Sequence, residues 1–406
     1  MKILLYGINF APELTGIGKY TGEMAAWLVG QGHQVRVVTA PPYYPAWAVS
    51  PGYSGRAWRT EVWQGVTVMR CPLWVPHQPG GLKRLLHLAS FALTSLPVML
   101  RQVLWRPQVV WVVEPALFCA PTAVAVARLS EAKAWLHVQD FEVDAAFSLG
   151  LLRGAGLRRG VSGAERWLMR RFDVVSTISQ RMHQRLLDKE VDAPKAKLAV
   201  NWVDMAQFAK PSPEGMAAYR HELGVPEGAV VALYSGNMGG KQGLEVLADL
   251  AKLCPEVQFV FCGNGAGRAD LVARCQGLPN VSFMDLQPAE RLPDLLATAD
   301  IHLLPQRADA ADLVMPSKLT GMLTSARPVV ATAHAGTELA TVVQTCGLVV
   351  PPETPLALAE AVRTLAADPV LRQRLGAAGY AYAQAHLDRD AVLQKFESDL
   401  SDLLLV

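Results

Sequence analysis

The sequence predicts an α/β protein built from two doubly wound parallel sheets. Short apolar runs alternate with helical stretches along all 406 residues. The runs are continuous Val, Ile and Leu segments rather than polar–apolar alternations, which is typical of strands buried on both faces of a parallel sheet. The alternation restarts midway along the chain, so two βαβ series, and therefore two sheets, are expected.

The first series predicts six strands with helices between them. The strands are expected at Lys2–Ile8, Gln34–Thr39, Gly65–Arg70, Gln108–Val113, Lys133–Val138 and Asp173–Thr177. Helical patterns cover Ile17–Val29, Ala116–Leu129 and Gly160–Arg171.

The second series has the same organisation. Its strands are expected at Ala229–Ser235, Val257–Cys262, Asn280–Met284, Asp300–Leu304, Pro328–Thr332 and Gly347–Val350, and its helices at Gly243–Leu253, Arg268–Cys275, Glu290–Thr298 and Pro355–Ala366. The junction lies near Asn201–Pro213, where two prolines interrupt regular structure. We expect domains over 1–205 and 206–385, and a C-terminal helix over 386–406 that packs back on the first domain.

Composition excludes several classes of protein. The 38 Lys and Arg residues nearly balance 36 Asp and Glu residues, so a nucleic-acid partner is not expected. Hydrophobic residues make up 51% and charged residues 18%, which excludes a disordered chain. The six cysteines include no Cys-x-x-Cys spacing, so neither a zinc site nor a disulfide framework is expected. The first apolar run is too short for a signal peptide, and the cytosol is the expected compartment.

One apolar segment, Leu82–Arg106, stands apart from both series. Polar residues and Pro97 interrupt it, so it is too polar for a confident membrane span, and basic residues lie at its ends. We expect a pair of helices lying at a membrane surface, while a helical hairpin that merely covers the core stays open. A second basic cluster follows, formed by Arg153, Arg158, Arg159, Arg166, Arg170 and Arg171.

The loop from Asn9 to Tyr20 follows a buried strand and opens a helix, which is where ligands bind in open α/β sheets. Its small residues would let the backbone approach a ligand closely. A dinucleotide fingerprint fails, because Thr21 stands where the third glycine belongs. The candidate ligand-binding residues are Gly16, Ile17, Gly18 and Tyr20; a purely structural turn is the alternative.

A second loop, SGNMGGK from Ser235 to Lys241, connects a strand to a helix. Backbone amides there suit a diphosphate, and Lys241 would neutralise its charge, although a solvent-exposed lysine is the alternative. The candidate residues are Gly236, Asn237, Gly239, Gly240 and Lys241, together with Gly263 and Asn264 of a third strand-to-helix turn. The loop is not a Walker A motif.

Two further stretches carry candidate site residues. His137-Val138-Gln139-Asp140 ends a strand of the first series, and Asp140 could orient or deprotonate an acceptor hydroxyl or simply cap a turn. In the second series, Pro316 suits the first turn of a helix, which would place Ser317 and Lys318 at its positive end, ready for ribose or phosphate. Asp312 and Met315 precede them.

In order and spacing these stretches resemble the GT4-type glycosyltransferases of the GT-B fold over nearly the whole chain. The resemblance rests on TGIGKY, QD, STISQRM, NWVD, GNMGGKQGLE, FCGNGAG and PSKLTGMLTSARPVVA. It is strongest to the colanic-acid-type fucosyltransferase branch. It implies two Rossmann-like domains facing across a cleft.

The resemblance also implies an activity. It implies retaining, metal-independent transfer of a sugar, with fucose from GDP-fucose the best guess, to a polyprenyl-diphosphate-linked saccharide at the inner membrane face during exopolysaccharide synthesis. The nucleotide sugar would be a substrate, and no cofactor is implied. Lys241 would neutralise the leaving diphosphate with the amides of Gly239 and Gly240, and Asp140 and His137 would lie on the acceptor side.

The sequence departs from the family pattern at two glutamates. Aligned on PVVA, their positions hold Leu313 and Gly321, and Asp309 or Asp312 could replace the first. In the loop after Ser235, Asn237 stands where the family has an arginine. Two alternatives remain: a nucleotide-sugar epimerase on the same scaffold, and a non-catalytic scaffold protein for polysaccharide assembly.

Overall fold

A computed structural model describes residues 1–13, 16–77, 80–113, 118–141, 143–144, 147, 154–208, 211–239, 242–308, 316 and 318–405. The chain divides into two compact units, Met1–Val200 with Leu393–Val406 and Asn201–Val392. Each unit is built on one sheet that carries helices on its faces.

The first unit contains an eight-stranded sheet. Its strands are β1 (Lys2–Tyr6), β2 (Gln34–Thr39), β3 (Arg59–Trp63), β4 (Val66–Arg70), β5 (Val109–Val113), β6 (Lys133–Val138), β7 (Val174–Thr177) and β8 (Ala196–Leu198). They are ordered β3-β4-β2-β1-β5-β6-β7-β8, and all neighbours are parallel except β3 and β4. The helices are α1 (Gly16–Gly30), α2 (Gly81–Gln102), α3 (Ala120–Leu129), α4 (Ala155–Met169) and α5 (Gln180–Asp188).

The second unit contains a six-stranded sheet in which all neighbours are parallel. Its strands are β9 (Val231–Ser235), β10 (Gln258–Cys262), β11 (Val281–Met284), β12 (Ile301–Leu304), β13 (Val329–Thr332) and β14 (Gly347–Val350), ordered β11-β10-β9-β12-β13-β14. Its helices are α6 (Met205–Phe208), α7 (Pro213–Glu222), α8 (Glu245–Leu253), α9 (Arg268–Arg274), α10 (Leu292–Thr298), α11 (Lys318–Thr324), α12 (Glu338–Cys346), α13 (Pro355–Ala367) and α14 (Pro369–His386).

The last helix, α15 (Arg389–Leu405), begins in the second unit and continues in the first. At its start, Arg389 pairs with Asp204 of the second unit. In the first unit, Phe396 packs against the rings of Trp111 and Trp135, with ring centroids 6.0 and 5.2 Å away. Large aromatic contacts of this kind hold the end of α15 on the first sheet.

The two predicted parallel sheets are confirmed, and each of the twelve predicted strands is present. The sequence analysis missed β3 and β8. Strand β3 is an antiparallel edge strand with no buried residue and with Arg59 and Glu61 among its five residues, and β8 has three residues, so neither gives a buried apolar run.

The predicted helix pair in Leu82–Arg106 is wrong, because the structure has one continuous helix, α2, followed by a 3-10 turn at Val103–Trp105. Pro97 lies inside α2 and removes the hydrogen bond that would end on the carbonyl of Leu93. Leu93 is 71% exposed, so solvent can satisfy that carbonyl and the helix continues through the proline.

Each sheet has one point at which the strand order reverses direction. In the first sheet it lies between β1 and β5, and in the second between β9 and β12. Ligands of open α/β sheets bind beyond the carboxyl ends of the strands at such points. The loops after β1 and after β9 are therefore the places where a site is expected in each unit.

Candidate active site

In the second unit, the turn after β9 is held by its neighbours. Gly236 has a φ of 135°, which favours glycine, and its N–H donates to the Cys262 carbonyl at 2.9 Å. The N–H of Met238 donates to the Asn264 carbonyl at 2.9 Å, and that of Gly239 donates to Oε1 of Gln242 at 2.9 Å. The Gly239 amide can therefore bind a diphosphate, as predicted, only if its hydrogen bond to Gln242 breaks.

The turn after β10 packs against the turn after β9 and supports it. A Cβ on Gly263 would overlap the carbonyl oxygen of Gly236, and a Cβ on Gly265 would come within 2.5 Å of the Met238 carbonyl oxygen. The Asn264 side chain, oriented so that its amide donates, bonds Asp285 at 3.0 Å and the Gly263 carbonyl at 2.9 Å. The local geometry thus gives Gly263 and Asn264 a bracing role, while the predicted contact with substrate stays a prediction.

Lys318, the first residue of α11, reaches across to the turn after β9. Its Nζ donates to the Tyr234 hydroxyl at 2.9 Å and lies 4.3 Å from the centre of that ring. A Cβ on Gly236 would stand 3.7 Å from the same Nζ. Burial lowers the pKa of Lys318 to about 7 and raises the pKa of Tyr234. The structure therefore brings two predicted site residues together, and it adds Tyr234, which the sequence analysis had placed in a buried strand.

Several predicted residues lie outside the described ranges: Gly240, Lys241, Asp312, Met315 and Ser317, with Asp309 and Leu313. Pro316 is described, and its carbonyl accepts from the N–H of Leu319 at 3.0 Å. Gly321 lies within α11, where a Cβ would approach Leu296 at 3.2 Å. The described helix begins at Lys318, two residues later than predicted, and has seven residues. What Lys318 offers to a ligand is therefore its side chain.

In the first unit, Glu13 organises the loop after β1. Its Oε1 accepts from the N–H groups of Tyr43 and Tyr44, both at 3.1 Å, and its Oε2 accepts from the Asn9 amide at 2.9 Å. Burial raises the pKa of Glu13. A Cβ on Gly18 would lie 2.5 Å from Oε2 of Glu13, so this glycine is required for internal packing. The sequence analysis did not identify Glu13, since a carboxylate in a loop gives no signal of burial.

The other predicted residues of this loop take structural places. Gly16 has a φ of 62° at the start of α1, a conformation that favours glycine. Tyr20 is 3% exposed, so its ring belongs to the core, and Ile17 is partly buried. The alternative of a purely structural turn therefore accounts for Gly16 and Gly18, and the contact of these glycines with a ligand stays a prediction.

Arg70, at the end of β4, ties this loop to its neighbours. It is 2% exposed and donates to the carbonyl oxygens of Ala11 at 2.6 Å and Ala40 at 3.0 Å. Its Nε donates to Glu61 at 2.9 Å. The guanidinium thus hydrogen-bonds to the segments that follow β1 and β2. Together with Glu13, it holds the loop after β1 in place.

His137, at the end of β6, is a buried neutral imidazole. Burial lowers its pKa to about 3. With the proton on Nδ1, the ring donates to Ser176 Oγ at 2.8 Å and accepts from the Gln139 amide at 3.1 Å on Nε2. It also stacks on Trp111, with ring centroids 5.2 Å apart. Asp140 follows the strand and is partly buried.

The arrangement suits an anionic ligand in the second unit. A lysine side chain converges with a glycine turn at the switch point of the sheet, where a diphosphate can approach the backbone. The first unit offers polar groups at the matching place of its own sheet, with an imidazole that stays neutral at physiological pH. Among the described side chains, no three His, Cys, Asp or Glu residues come together as a possible metal site.

Comparison with known proteins shows the family of the chain. Residues 15–202 match the family model described as glycosyl transferase 4-like domain, and residues 229–368 match that of glycosyl transferases group 1. The chain is 43% identical over 411 residues to WcaI of Escherichia coli K12, which is named, provisionally, a colanic acid biosynthesis glycosyl transferase; the match covers 98% of this chain and 100% of WcaI.

Two solved structures have the same fold. Sucrose-phosphate synthase from Thermosynechococcus elongatus has a TM-score of 0.79 at 16% identity, with 99% of each chain covered. HepE of Anabaena, solved with UDP-glucose, has a TM-score of 0.73 at 17% identity, with 99% of this chain and 100% of HepE covered. At these identities the likeness shows the fold alone. The family models and the full-length relative settle the rest: the chain is a glycosyltransferase and belongs to the GT4-type family of the GT-B fold.

Proposed function

We propose that this glycosyltransferase moves fucose from GDP-fucose to a polyprenyl-diphosphate-linked saccharide during synthesis of an exopolysaccharide of the colanic acid type. Transfer is retaining and needs neither a metal ion nor a cofactor. The full-length likeness to WcaI supports the pathway. The observation that carries the donor half of the proposal is the convergence of Lys318 with the Gly236 turn in the second unit.

The chemistry follows from the bond that breaks. Cleavage of the sugar–phosphate bond leaves negative charge on the departing diphosphate, and stabilising that charge is the main task of the site. Lys318 is placed at the Gly236 turn to do so, and Lys241 is proposed to assist. On the acceptor side, Asp140 would orient or deprotonate the attacking hydroxyl, while the buried, neutral imidazole of His137 would add no positive charge there.

The test is a transfer assay with the purified full chain. A panel of nucleotide sugars is supplied with and without extracted polyprenyl-linked saccharides, and released nucleotide diphosphate and labelled lipid are measured. We expect acceptor-dependent GDP release with GDP-fucose. Transfer from another donor would overturn the fucosyl assignment. Conversion of donor without acceptor would favour an epimerase, and nucleotide binding without turnover would favour a scaffold protein.

We also propose that the protein lies on the inner face of the cytoplasmic membrane through helices α2, α3 and α4. Crossovers between parallel strands are right-handed, so these three helices lie on one face of the first sheet. Their one acidic residue, Glu165, is buried. The exposed leucines of α2 are Leu82 (71%), Leu86 (52%), Leu93 (71%), Leu96 (38%) and Leu100 (44%).

The mode of attachment is peripheral in this proposal. Within the described ranges, Gly81–Trp105 is the one helical segment long and apolar enough to cross a bilayer. Its other face, however, carries Leu88, Phe91 and Met99, which are buried in the first unit. An exposed leucine face with flanking basic residues, such as Lys83 and Arg101, suits a helix lying in the plane of an anionic membrane.

Replacing Leu86, Leu93 and Leu100 with Ser should weaken binding to phosphatidylglycerol-containing vesicles by about 10²-fold or more, because each leucine loses the free energy of burial in lipid. Co-sedimentation with the vesicles measures the effect. The matched control changes Leu356 and Val370, which are 72% and 74% exposed on the second unit. Equal vesicle binding by the triple variant and the wild type would contradict the proposed face.

A further inference from the structure

Lys318 has a hydrogen-bond partner but, among the side chains that the structure describes, no partner of opposite charge. The Tyr234 hydroxyl donates to the Asn237 carbonyl at 2.6 Å and accepts from Nζ of Lys318 at 2.9 Å. Because burial raises the pKa of Tyr234, its hydroxyl stays neutral and cannot serve as a counter-ion. None of the carboxylates in the described ranges pairs with Lys318, and burial is the one cause that shifts its pKa.

Lys318 is partly buried, and an ammonium withdrawn from water without a counter-charge is costly; that cost falls when an anion binds beside it. Gly236 brings no side chain to the turn, and the point that its Cβ would occupy lies 3.7 Å from Nζ, so a ligand could meet the amine beside the backbone there. From β9 the group facing Lys318 is the Tyr234 hydroxyl, and from the described part of the turn it is the uncharged backbone of Gly236. The incoming charge would therefore be the ligand's own.

We propose that Lys318 is the cation that receives the donor's diphosphate, and that the protein takes up a proton at Lys318 when the diphosphate binds. The amine of Lys318 takes a proton from solvent and becomes an ammonium ion, and no other bond changes. The identity of the ligand rests on the proposed function. The uptake itself requires only that a nucleotide diphosphate ester binds at the Gly236 turn.

The sign of the pH dependence follows from linkage. The free lysine, with a pKa of about 7, is largely neutral a little above neutral pH. A bound dianion raises the pKa, so affinity is highest below pH 7 and falls as pH rises through that value. Between the free and the bound pKa, the dissociation constant should rise about tenfold per pH unit. A permanently charged site would show no such dependence.

Calorimetric titration with GDP-fucose tests the proposal, because a diphosphate diester has no group of its own that titrates near neutrality. Measurements in two buffers of different ionisation enthalpy give the number of protons taken up. We expect a net uptake of up to one proton per ligand in the wild type, increasing as pH rises above the pKa of the free lysine. Lys318→Met should remove the uptake and weaken binding about tenfold or more below pH 7. Lys318→Arg, always charged, should remove the uptake but keep affinity above pH 7.

The matched control is Lys252→Met, since Lys252 pairs with Asp249 on the surface of α8. It should leave uptake and affinity unchanged. Proton uptake that persists in Lys318→Met, or wild-type binding without any uptake, would overturn the inference. This outcome is separate from that of the transfer assay. Proton uptake without transfer to lipid acceptors would support the inference and overturn the proposed function. Transfer without proton uptake would support the proposed function and overturn the inference.

Discussion

Lys318→Met is expected to slow sugar transfer by about 10²–10³-fold and at the same time to make the protein more stable. The loss of rate follows because the charge that develops on the leaving diphosphate loses the cation that we propose receives it. The gain in stability follows because the variant replaces a partly buried ammonium, which has no counter-charge among the described side chains, by an apolar side chain of similar length. We expect the gain to be about 1–3 kcal/mol at neutral pH and below.

The pH dependence of that gain is fixed by the direction of the pKa shift. Burial lowers the pKa of Lys318 to about 7 in the folded protein, below its ordinary value. At pH values between the folded and the unfolded pKa of Lys318, unfolding therefore takes up a proton. The free energy of unfolding of the wild type rises with pH over this range. The advantage of Lys318→Met should be full below pH 7 and should shrink as pH rises above it.

Initial rates at saturating donor and denaturant unfolding at several pH values measure the two effects. Lys252→Met is the control, since its ammonium is exposed and its loss should change neither quantity by more than about 0.5 kcal/mol. A variant Lys318→Met that turns over at the wild-type rate would remove this residue from the reaction. A variant that is both slow and less stable than the wild type would mark Lys318 as a structural residue instead.

The sequence predicted the sheets well because continuous apolar runs are a local signal. It missed β3 because that strand is held at an edge by pairing with β4, and Arg59, Thr60 and Glu61 leave no continuous apolar run. It predicted a pair of helices in Leu82–Arg106 because polar residues and Pro97 interrupt the apolar segment, and nothing local shows that one helix continues through them. In the structure Leu93 is exposed, so solvent can satisfy the carbonyl that Pro97 leaves without a donor, and the helix continues.

The site was predicted in outline and not in detail, for a similar reason. Loops at the carboxyl ends of strands can be located from the pattern alone, and Gly236 and Lys318 were both found in this way. That they meet depends on tertiary packing across 84 residues, from Tyr234 to Lys318. Glu13 was missed because its burial depends mainly on partners 30 and 31 residues away, at Tyr43 and Tyr44, which no local pattern shows.

Gly263→Ala is expected to lower the free energy of unfolding by about 3 kcal/mol and to weaken donor binding together with it. The added methyl group would overlap the carbonyl oxygen of Gly236, which is backbone and cannot turn aside as a side chain would. Relief requires the turn after β9 to move, and that turn is held by the 2.9 Å bond from Gly236 N–H to Cys262. Movement of Gly236 also displaces the surface that Lys318 faces.

Gly163→Ala is the matched control, because Gly163 lies inside helix α4 with nothing within 4 Å of an added Cβ. There the same change should stabilise the protein by about 0.5–1 kcal/mol, since alanine is the better helix former. Chemical unfolding and donor titration on both variants separate steric overlap from the general effect of adding a methyl group. If Gly263→Ala had the same free energy of unfolding and the same donor affinity as the wild type, the two glycine turns would not act as one rigid support. The position of Lys318 at the diphosphate would then depend on its hydrogen bond to Tyr234 alone.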